Sequence, residues 1–249
     1  MIYLKTPTQI EKIEYSNKVG SELLQACRDR IRVGTSTFEL EEMAQKFCSD
    51  NGIRPSFKGY KGYPFCLCVS VNEEVVHGFP GDRTIEDGDI VSVDFGVEID
   101  GYYSDAAFTK TVGNVSENTR KLVEVTERCL RDSVNKAVHN GKLFDISKSI
   151  QDVAEENEFN AIRTFGGHGV GFDVHESPFV FNYMPDRGCN YLLKAGMVLA
   201  IEPMVAEGSY ETEVVENGWT AVTKDRRKAA HFERSVAIMP EGPKILADF

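Results

Sequence analysis

The chain has 249 residues, 28 of them basic and 39 acidic, giving a net charge of −11. That length allows one large domain or two small halves around a sizeable core, and the acidic balance argues against a nucleic-acid or anionic-membrane surface. No secretory leader and no apolar run of about 18 residues is visible, so a soluble cytoplasmic protein is expected, its 6 cysteines free thiols without a CxxC pair for zinc.

A helix is expected from Pro7 to Arg32, where Ile10, Ile13, Val19, Leu23, Leu24, Cys27 and Ile31 recur at helical spacing, with Gly34 ending it. Ser36 and Glu39 form a capping box for a second helix. Its apolar face is Leu40, Met43, Ala44, Phe47 and Cys48, and it closes at Asn51-Gly52. A loop punctuated by Gly and Pro, 58–64, leads into a strand over 65–71. Asn72-Glu73-Glu74 turns that strand into an apolar run ending at His77-Gly78. A lone His there is ordinarily a hydrogen-bonded core residue.

The stretch from Val91 to Asp105 reads as two strands around an Asp100-Gly101 turn. Asp94 then faces Ala107, and Asp105, two places away, points to the same side. Moving the turn to Ile99-Asp100 sets the two aspartates face to face. Either register puts both carboxylates on one face, with Val91, Val93 and Phe95 packing around them. Two buried like charges are costly unless a cation neutralises them; solvated aspartates on an exposed strand are the other reading.

Further helices are expected from Ser116 to His139, stopped by Gly141, and from Asp145 to Asn157. Strand-like runs follow at 197–204, 219–222 and 229–238. The order helix, helix, strands thus occurs twice, which suggests two similar halves around one sheet. Three later places carry chemistry. His168 is flanked by glycines in Gly166-Gly167-His168-Gly169-Val170-Gly171, a run that allows close backbone approach. Glu202 sits in an apolar strand before Pro203, where a glutamate is rarely buried without a partner. Glu233 precedes Arg234, and a surface ion pair is the plainer reading of it. Asp94, Asp105, His168, Glu202 and Glu233 together give carboxylates enough for roughly two divalent cations. The oxygen and nitrogen mix suits Mn, Fe, Co or Zn rather than calcium.

With these residues in order, the chain resembles the type I methionine aminopeptidases throughout. The stretches that carry the likeness are Gly-Thr-Ser-Thr-Phe-Glu-Leu (34–40), Gly-Tyr-Lys-Gly-Tyr-Pro (59–64), Cys-Val-Ser-Val-Asn-Glu (68–73), His-Gly-Phe-Pro (77–80), Val-Asp-Phe-Gly (93–96), the glycine-flanked His168, Ile-Glu-Pro-Met (201–204) and Asn-Gly-Trp-Thr (217–220). The resemblance implies an α+β pita-bread fold, with two pseudo-symmetric halves around a central antiparallel sheet, as a single catalytic domain over residues 1–249. It leaves no room for the helical insertion of type II enzymes or for a zinc-binding extension.

It further implies removal of the N-terminal methionine from nascent proteins and peptides, with a small second residue preferred. Asp94, Asp105, His168, Glu202 and Glu233 would hold two divalent cations (Co, Mn, Fe or Zn), Asp105 and Glu233 bridging them. Glu202 would move the proton, and His77 and His175 would donate hydrogen bonds to the reacting amide and carbonyl. Tyr60, Tyr63, Cys68 and Trp219 would line the methionine pocket, with His77 and His175 also touching substrate. Expected partners are the N-termini of nascent polypeptides, with the ribosome as a candidate; neither nucleic acid nor membrane is expected to bind, and the chain is expected to be a monomer.

Four positions depart from the family pattern. Val174 replaces a usual Phe, Phe57 a usual small Cys, His231 a usual Gln, and Ala229 a Ser of the monovalent-cation site suggested by Asn72 and Glu74. None is expected to touch the metal ligands. Val174 is expected to leave space in the pocket that Phe57 refills only in part. Two alternatives stand beside this reading: a same-fold peptidase for X-Pro bonds (or a creatine hydrolase), and a metal-free pita-bread binding protein.

Overall fold

A computed structural model describes residues 1–247 and 249. Helix α1 spans Pro7–Arg30 and opens with Pro7 at its first position, behind a Thr6–Gln9 capping box. Proline suits that position because its missing N–H would be unpaired there anyway. Helix α1 ends before Arg32, since Ile31 turns extended (φ −61°, ψ 115°) and its side chain is buried. Helix α2, Thr37–Asn51, has the expected reciprocal cap. Ser36 Oγ accepts from the Glu39 N–H at 3.2 Å, and Glu39 Oε1 accepts from the Ser36 N–H at 3.1 Å. Gly52 closes the helix in the left-handed region at φ 63°.

Helix α3, Glu117–Val134, stops well short of His139. Its backbone tightens into three-residue turns, Lys136 N–H to Ser133 O and Ala137 N–H to Val134 O, while Ala137 stays buried. Helical spacing thus persisted in the sequence beyond the helix itself. Helix α4, Leu143–Glu156, starts two residues earlier than expected. Asp145 caps its start from inside, accepting from the Lys142 N–H at 3.0 Å.

The centre is an eight-stranded antiparallel sheet. Its strands are β1 (Cys68–Val71), β2 (Ile90–Phe95), β3 (Ala106–Thr111), β4 (Gly166–Gly169), β5 (Glu176–Phe181), β6 (Val198–Ile201), β7 (Glu233–Met239) and β8 (Gly242–Ile245). Across the sheet the order is β5, β4, β6, β7, β3, β2, β1, with β8 also paired to β7. Helices α1 and α2 precede the strands of one half, and α3 and α4 those of the other, as the repeated order suggested. The halves join where β3 pairs β7, Glu233 opposite Ala107.

Alternation along the strands separates two environments. Val91, Val93, Phe95, Phe108, Leu199, Ile201, Val236 and Ile238 share one apolar cluster with residues of all four helices. Val91, Val93 and Phe95 therefore pack behind the two aspartates, on the opposite face, and not around them. Asp94, Ala107, Ala200 and Glu233 point the other way, by the period of two.

Helix α2 also braces the start of β1. Glu41 is fully buried, and its two carboxylate oxygens each accept from the Cys66 N–H at 3.0 Å. The Leu67 N–H adds a contact at 3.3 Å. Glu41 thus ties α2 to the segment that delivers Cys68. Deleting the carboxylate strands buried donors, at a cost of about 1–3 kcal/mol. Urea unfolding should show Glu41→Ala destabilised by about that amount, while Glu42→Ala, at an exposed neighbouring position, should stay within about 0.5 kcal/mol of wild type.

Candidate active site

The site is written in the sheet register. Cys68 pairs with Asp94, Asp94 with Ala107, and Ala107 with Glu233, so these four form one row across β1, β2, β3 and β7. This is the register set by the Asp100-Gly101 turn, where both residues have positive φ (53° and 81°). Ala107 keeps the space between the two carboxylates open, since it offers only a methyl. Asp105 lies two residues from Ala107, just ahead of β3, and points to the same face. Glu202 follows the end of β6. His168 on β4 pairs with Ala200 on β6.

Glycine allows β4 its place. A Cβ on Gly167 would lie 2.3 Å from the Ala200 carbonyl oxygen. The glycines around His168 therefore serve close strand packing, which brings the imidazole up to Glu202. His168 Nδ1 is 2.9 Å from the Gly169 carbonyl. A proton on Nδ1 leaves the Nε2 lone pair facing inward, 3.6 Å from Asp105 Oδ2 and 3.5 Å from Glu202 Oε1.

All of the expected site residues line one cavity of about 250 Å³. Asp94, Asp105, Glu202 and Glu233 lie at one end. Ligand atoms of Asp105, His168 and Glu233 come within 4.8 Å of one another. Asp94 Oδ1, Asp105 Oδ1 and Glu233 Oε1 are buried with no hydrogen-bond partner among the described residues. Unpaired buried carboxylate oxygens are costly, and a divalent cation is what such oxygens and a free imidazole nitrogen fit. The protonation states agree. Burial pushes Asp94 up to about 7, with the Glu202 charge adding to it. Burial, then repulsion from Asp94 and Glu202, raises Asp105 well above the usual carboxylate range. Burial and the charges of Asp105, Glu202 and Asp94 do the same to Glu233. Glu202 differs: burial would raise it, but His231, His168 and His175 around it outweigh that and hold it low.

The other end of the cavity is aromatic. Tyr63 meets Trp219 edge to face at 5.1 Å. The Tyr63 hydroxyl reaches the carbonyls of Leu67 and Gly78 at 3.1 Å each. Tyr60 stacks on His175 at 5.1 Å. Burial and the neighbouring His168 lower His175 to about 3, so it is neutral. Burial also lowers His77, which sits at φ 60°, an uncommon conformation for a residue with a side chain. Its carbonyl accepts from Thr220 Oγ at 3.1 Å. Asn217 in turn accepts from the Trp219 and Thr220 N–H groups, both at 2.9 Å. The Asn-Gly-Trp-Thr stretch is therefore a turn that places Trp219 and His77 together. Gly78 follows because a Cβ there would lie 2.1 Å from the Val69 carbonyl oxygen.

The departures fall in different places. Phe57 lines the cavity, whereas Val174 is fully buried in one apolar cluster with Phe57, Tyr63 and Cys68. Phe57 stands on the cavity wall, and Val174 packs behind it in that cluster. Ala229 donates its N–H to the Asn72 carbonyl at 2.9 Å. His231 corrects the expectation that no departure touches the acidic cluster: its Nε2 is 3.5 Å from Glu202 and 3.9 Å from Glu233. Sequence reasoning also missed Phe165, which meets His77 edge to face at 5.6 Å, and Phe179, on the cavity wall. No spacing pattern marks either one.

Residues 11–240 match the model for metallopeptidase family M24. The chain belongs to that family. It is 47% identical to a methionine aminopeptidase of Clostridium perfringens over 247 residues, covering 99% of this chain and 98% of that one. Methionine aminopeptidase 1 of Bacillus subtilis is 43% identical over 247 residues, at 99% of each chain. Among solved structures, a methionine aminopeptidase of Thermotoga maritima superposes with TM-score 0.96 at 42% identity, each chain covered in full. The prolidase of Pyrococcus furiosus, 23% identical with TM-score 0.79, shares the fold alone, and the chain covers 65% of it. The M24 chain thus has the expected pita-bread fold and groups with the methionine aminopeptidases, not with the X-Pro enzymes or a metal-free binder. Among the described residues, no helix is long and apolar enough to cross a membrane.

Asp94 also gives the cation-free protein a pH signature. A carboxyl with a raised folded pKa keeps a proton that the unfolded chain releases, so stability falls as pH climbs from about 4 to the folded value, about 7 here. Asp94→Asn removes this loss. In chelated samples, denaturation at pH 5 and pH 7.5 should show the stability advantage of Asp94→Asn over wild type growing with pH. A constant difference would mean that Asp94 is not strained by burial.

Proposed function

We propose that this chain removes N-terminal methionine from nascent polypeptides and peptides with a small second residue, using two divalent cations held by Asp94, Asp105, His168, Glu202 and Glu233. One observation carries the reading: unpartnered carboxylate oxygens lie at one end of a cavity whose other walls are aromatic and thiol. Bound there, divalent cations would supply a nucleophilic water at neutral pH and a Lewis acid for the scissile carbonyl. Asp94, Asp105, Glu202 and Glu233 would hold the cations through carboxylate oxygens and His168 through its inward-facing Nε2.

The protein's own groups do the rest. Glu202, held low by its imidazole neighbours, is ionised and ready to accept a proton, then pass it to the departing amine. His175, neutral by burial, and His77 face the same space and donate N–H groups to the amide and to the oxygen that gains charge. Tyr60, Tyr63, Cys68 and Trp219 enclose the first side chain, a polarizable lining that suits a thioether. The proposed setting is the cytoplasm, as a monomer, with the ribosome as a candidate partner.

Mass spectrometry of Met-Ala-Ser and Met-Leu-Ser tests the activity. Chelation should abolish cleavage of Met-Ala-Ser, Mn²⁺ or Co²⁺ should restore it, and Met-Leu-Ser should be cut far more slowly. Cleavage that persists when elemental analysis finds no metal would refute the cation site. His175→Ala should lower kcat by about 10²–10³ with cation binding intact by calorimetry; an unchanged kcat removes His175 from the chemistry.

Phe57 now carries the specificity test. It walls the cavity where the family has a small residue, so Phe57→Ala should admit bulkier side chains. The kcat/KM margin of Met-Ala-Ser over Leu-Ala-Ser should shrink by about 10-fold or more, within the range one or two hydrophobic groups confer. An unaltered margin would place the selectivity elsewhere.

A further inference from the structure

We propose that His231 is a positioning residue for Glu202, its Nε2–H directed at the outer carboxylate oxygen so that the inner oxygen stays turned toward His168. The inference rests on the reading of Glu202 as cation ligand and proton carrier. Glu202 Oε1 is 3.5 Å from His168 Nε2, and Glu202 Oε2 is 3.5 Å from His231 Nε2. One imidazole therefore faces each oxygen. His231 is 2% exposed, and its Nε2 has no hydrogen-bond partner among the described residues. At 3.5 Å the contact is too long for a hydrogen bond, but such contacts tighten when an active site is loaded. A ligand role for His231 fits less well. Asp94, Asp105, His168, Glu202 and Glu233 all line the cavity, and His231 does not. It stands behind Glu202.

The ring is held from its backbone. The His231 N–H donates to Thr109 Oγ at 2.9 Å, and that hydroxyl donates back to the His231 carbonyl at 2.7 Å. The Thr109 proton is thereby used, so Ser92 Oγ, 2.8 Å away, is the donor in that pair. Residue 231 also pairs with Met204 in the small sheet beside the site, two residues beyond Glu202. The two facing side chains thus spring from neighbouring, hydrogen-bonded backbone, and Ser92 and Thr109 link that backbone to β2 and β3. A backbone fixed this way keeps the imidazole beside the Glu202 carboxylate, ready to close the contact when the site is loaded.

The test uses the full chain, freed of metal and titrated with Co²⁺ by calorimetry, for wild type, His231→Leu, His231→Gln and Glu202→Ala. Turnover of Met-Ala-Ser is measured on the reloaded proteins, and near-UV circular dichroism reports folding. Loss of an outer partner of a metal ligand weakens binding by about 10–100-fold. His231→Leu should show a weakening of that order, with unchanged stoichiometry and a lower kcat at similar KM. His231→Gln, whose amide N–H reaches the same oxygen, should restore most of both. Should His231→Leu not fold, His231→Asn replaces it, since the shorter amide stops short of Glu202 and should fail where Gln succeeds. Wild-type Co²⁺ affinity and kcat without the imidazole overturn the proposal, as does a Gln variant that rescues nothing. A drop in stoichiometry makes His231 a ligand and overturns it too. If Glu202→Ala binds Co²⁺ and turns over normally, the reading of Glu202 itself fails, an outcome separate from the others.

Discussion

Mutual repulsion among Asp94, Asp105, Glu202 and Glu233, held together out of water, is the constraint on which the rest of the structure depends. Left to themselves, these groups would separate or take up protons, and burial has driven three of them toward protonation. What holds them is the central sheet, whose register admits no sliding. A one-residue slip of β2 against β3 would turn Asp94 toward the helices and Val93 toward the cavity. The apolar cluster behind the sheet, drawn from all four helices, makes that slip prohibitive. Hydrophobic burial on one face thus secures an unfavourable charge arrangement on the other, and the family's use of divalent cations gives that arrangement its purpose.

Backbone geometry extends the same control outward. The Gly167 contact with Ala200 lets His168 reach Glu202, and the Nδ1 contact with Gly169 orients the ring. His77 is kept in a left-handed conformation by the hydroxyl of Thr220, itself ordered by Asn217. Strain of this sort persists only where surrounding bonds over-determine it. The aromatic half of the cavity is placed by the same turn, so the acid cluster and the side-chain pocket are aligned by shared backbone.

The fold does not choose the reaction. A prolidase shares this architecture at 23% identity, so activity resides in what lines the cavity. Phe57 is part of that lining, and Val174 packs behind it. The two share one buried cluster with Tyr63 and Cys68.

Local rules were enough for much of this protein. The Ser36–Glu39 cap and the alternation that puts Asp94 and Asp105 on one face follow from local pattern, so the sequence alone determined them, while the observed pairing of Asp94 with Ala107 chose the Asp100-Gly101 turn over Ile99-Asp100. The repeated order of helices and strands implied two halves, and Asp94, Asp105, His168, Glu202 and Glu233, each singled out in the sequence, all line the one cavity. Glu41 was not singled out, because it lies among other glutamates, and only its bonds to the Cys66 and Leu67 N–H groups show its place. Tertiary structure decided where α3 stops, since Ala137 keeps its apolar phase after the helix has ended. Alternation already sends Val91, Val93 and Phe95 to the face opposite Asp94; the tertiary structure adds that the helices cover that face. It decided above all the place of His231. That residue belongs to a different small sheet from the strands that bear Asp94, His168 and Glu233, and the long-range pairing with Met204 and the bonds to Thr109 hold its backbone near Glu202.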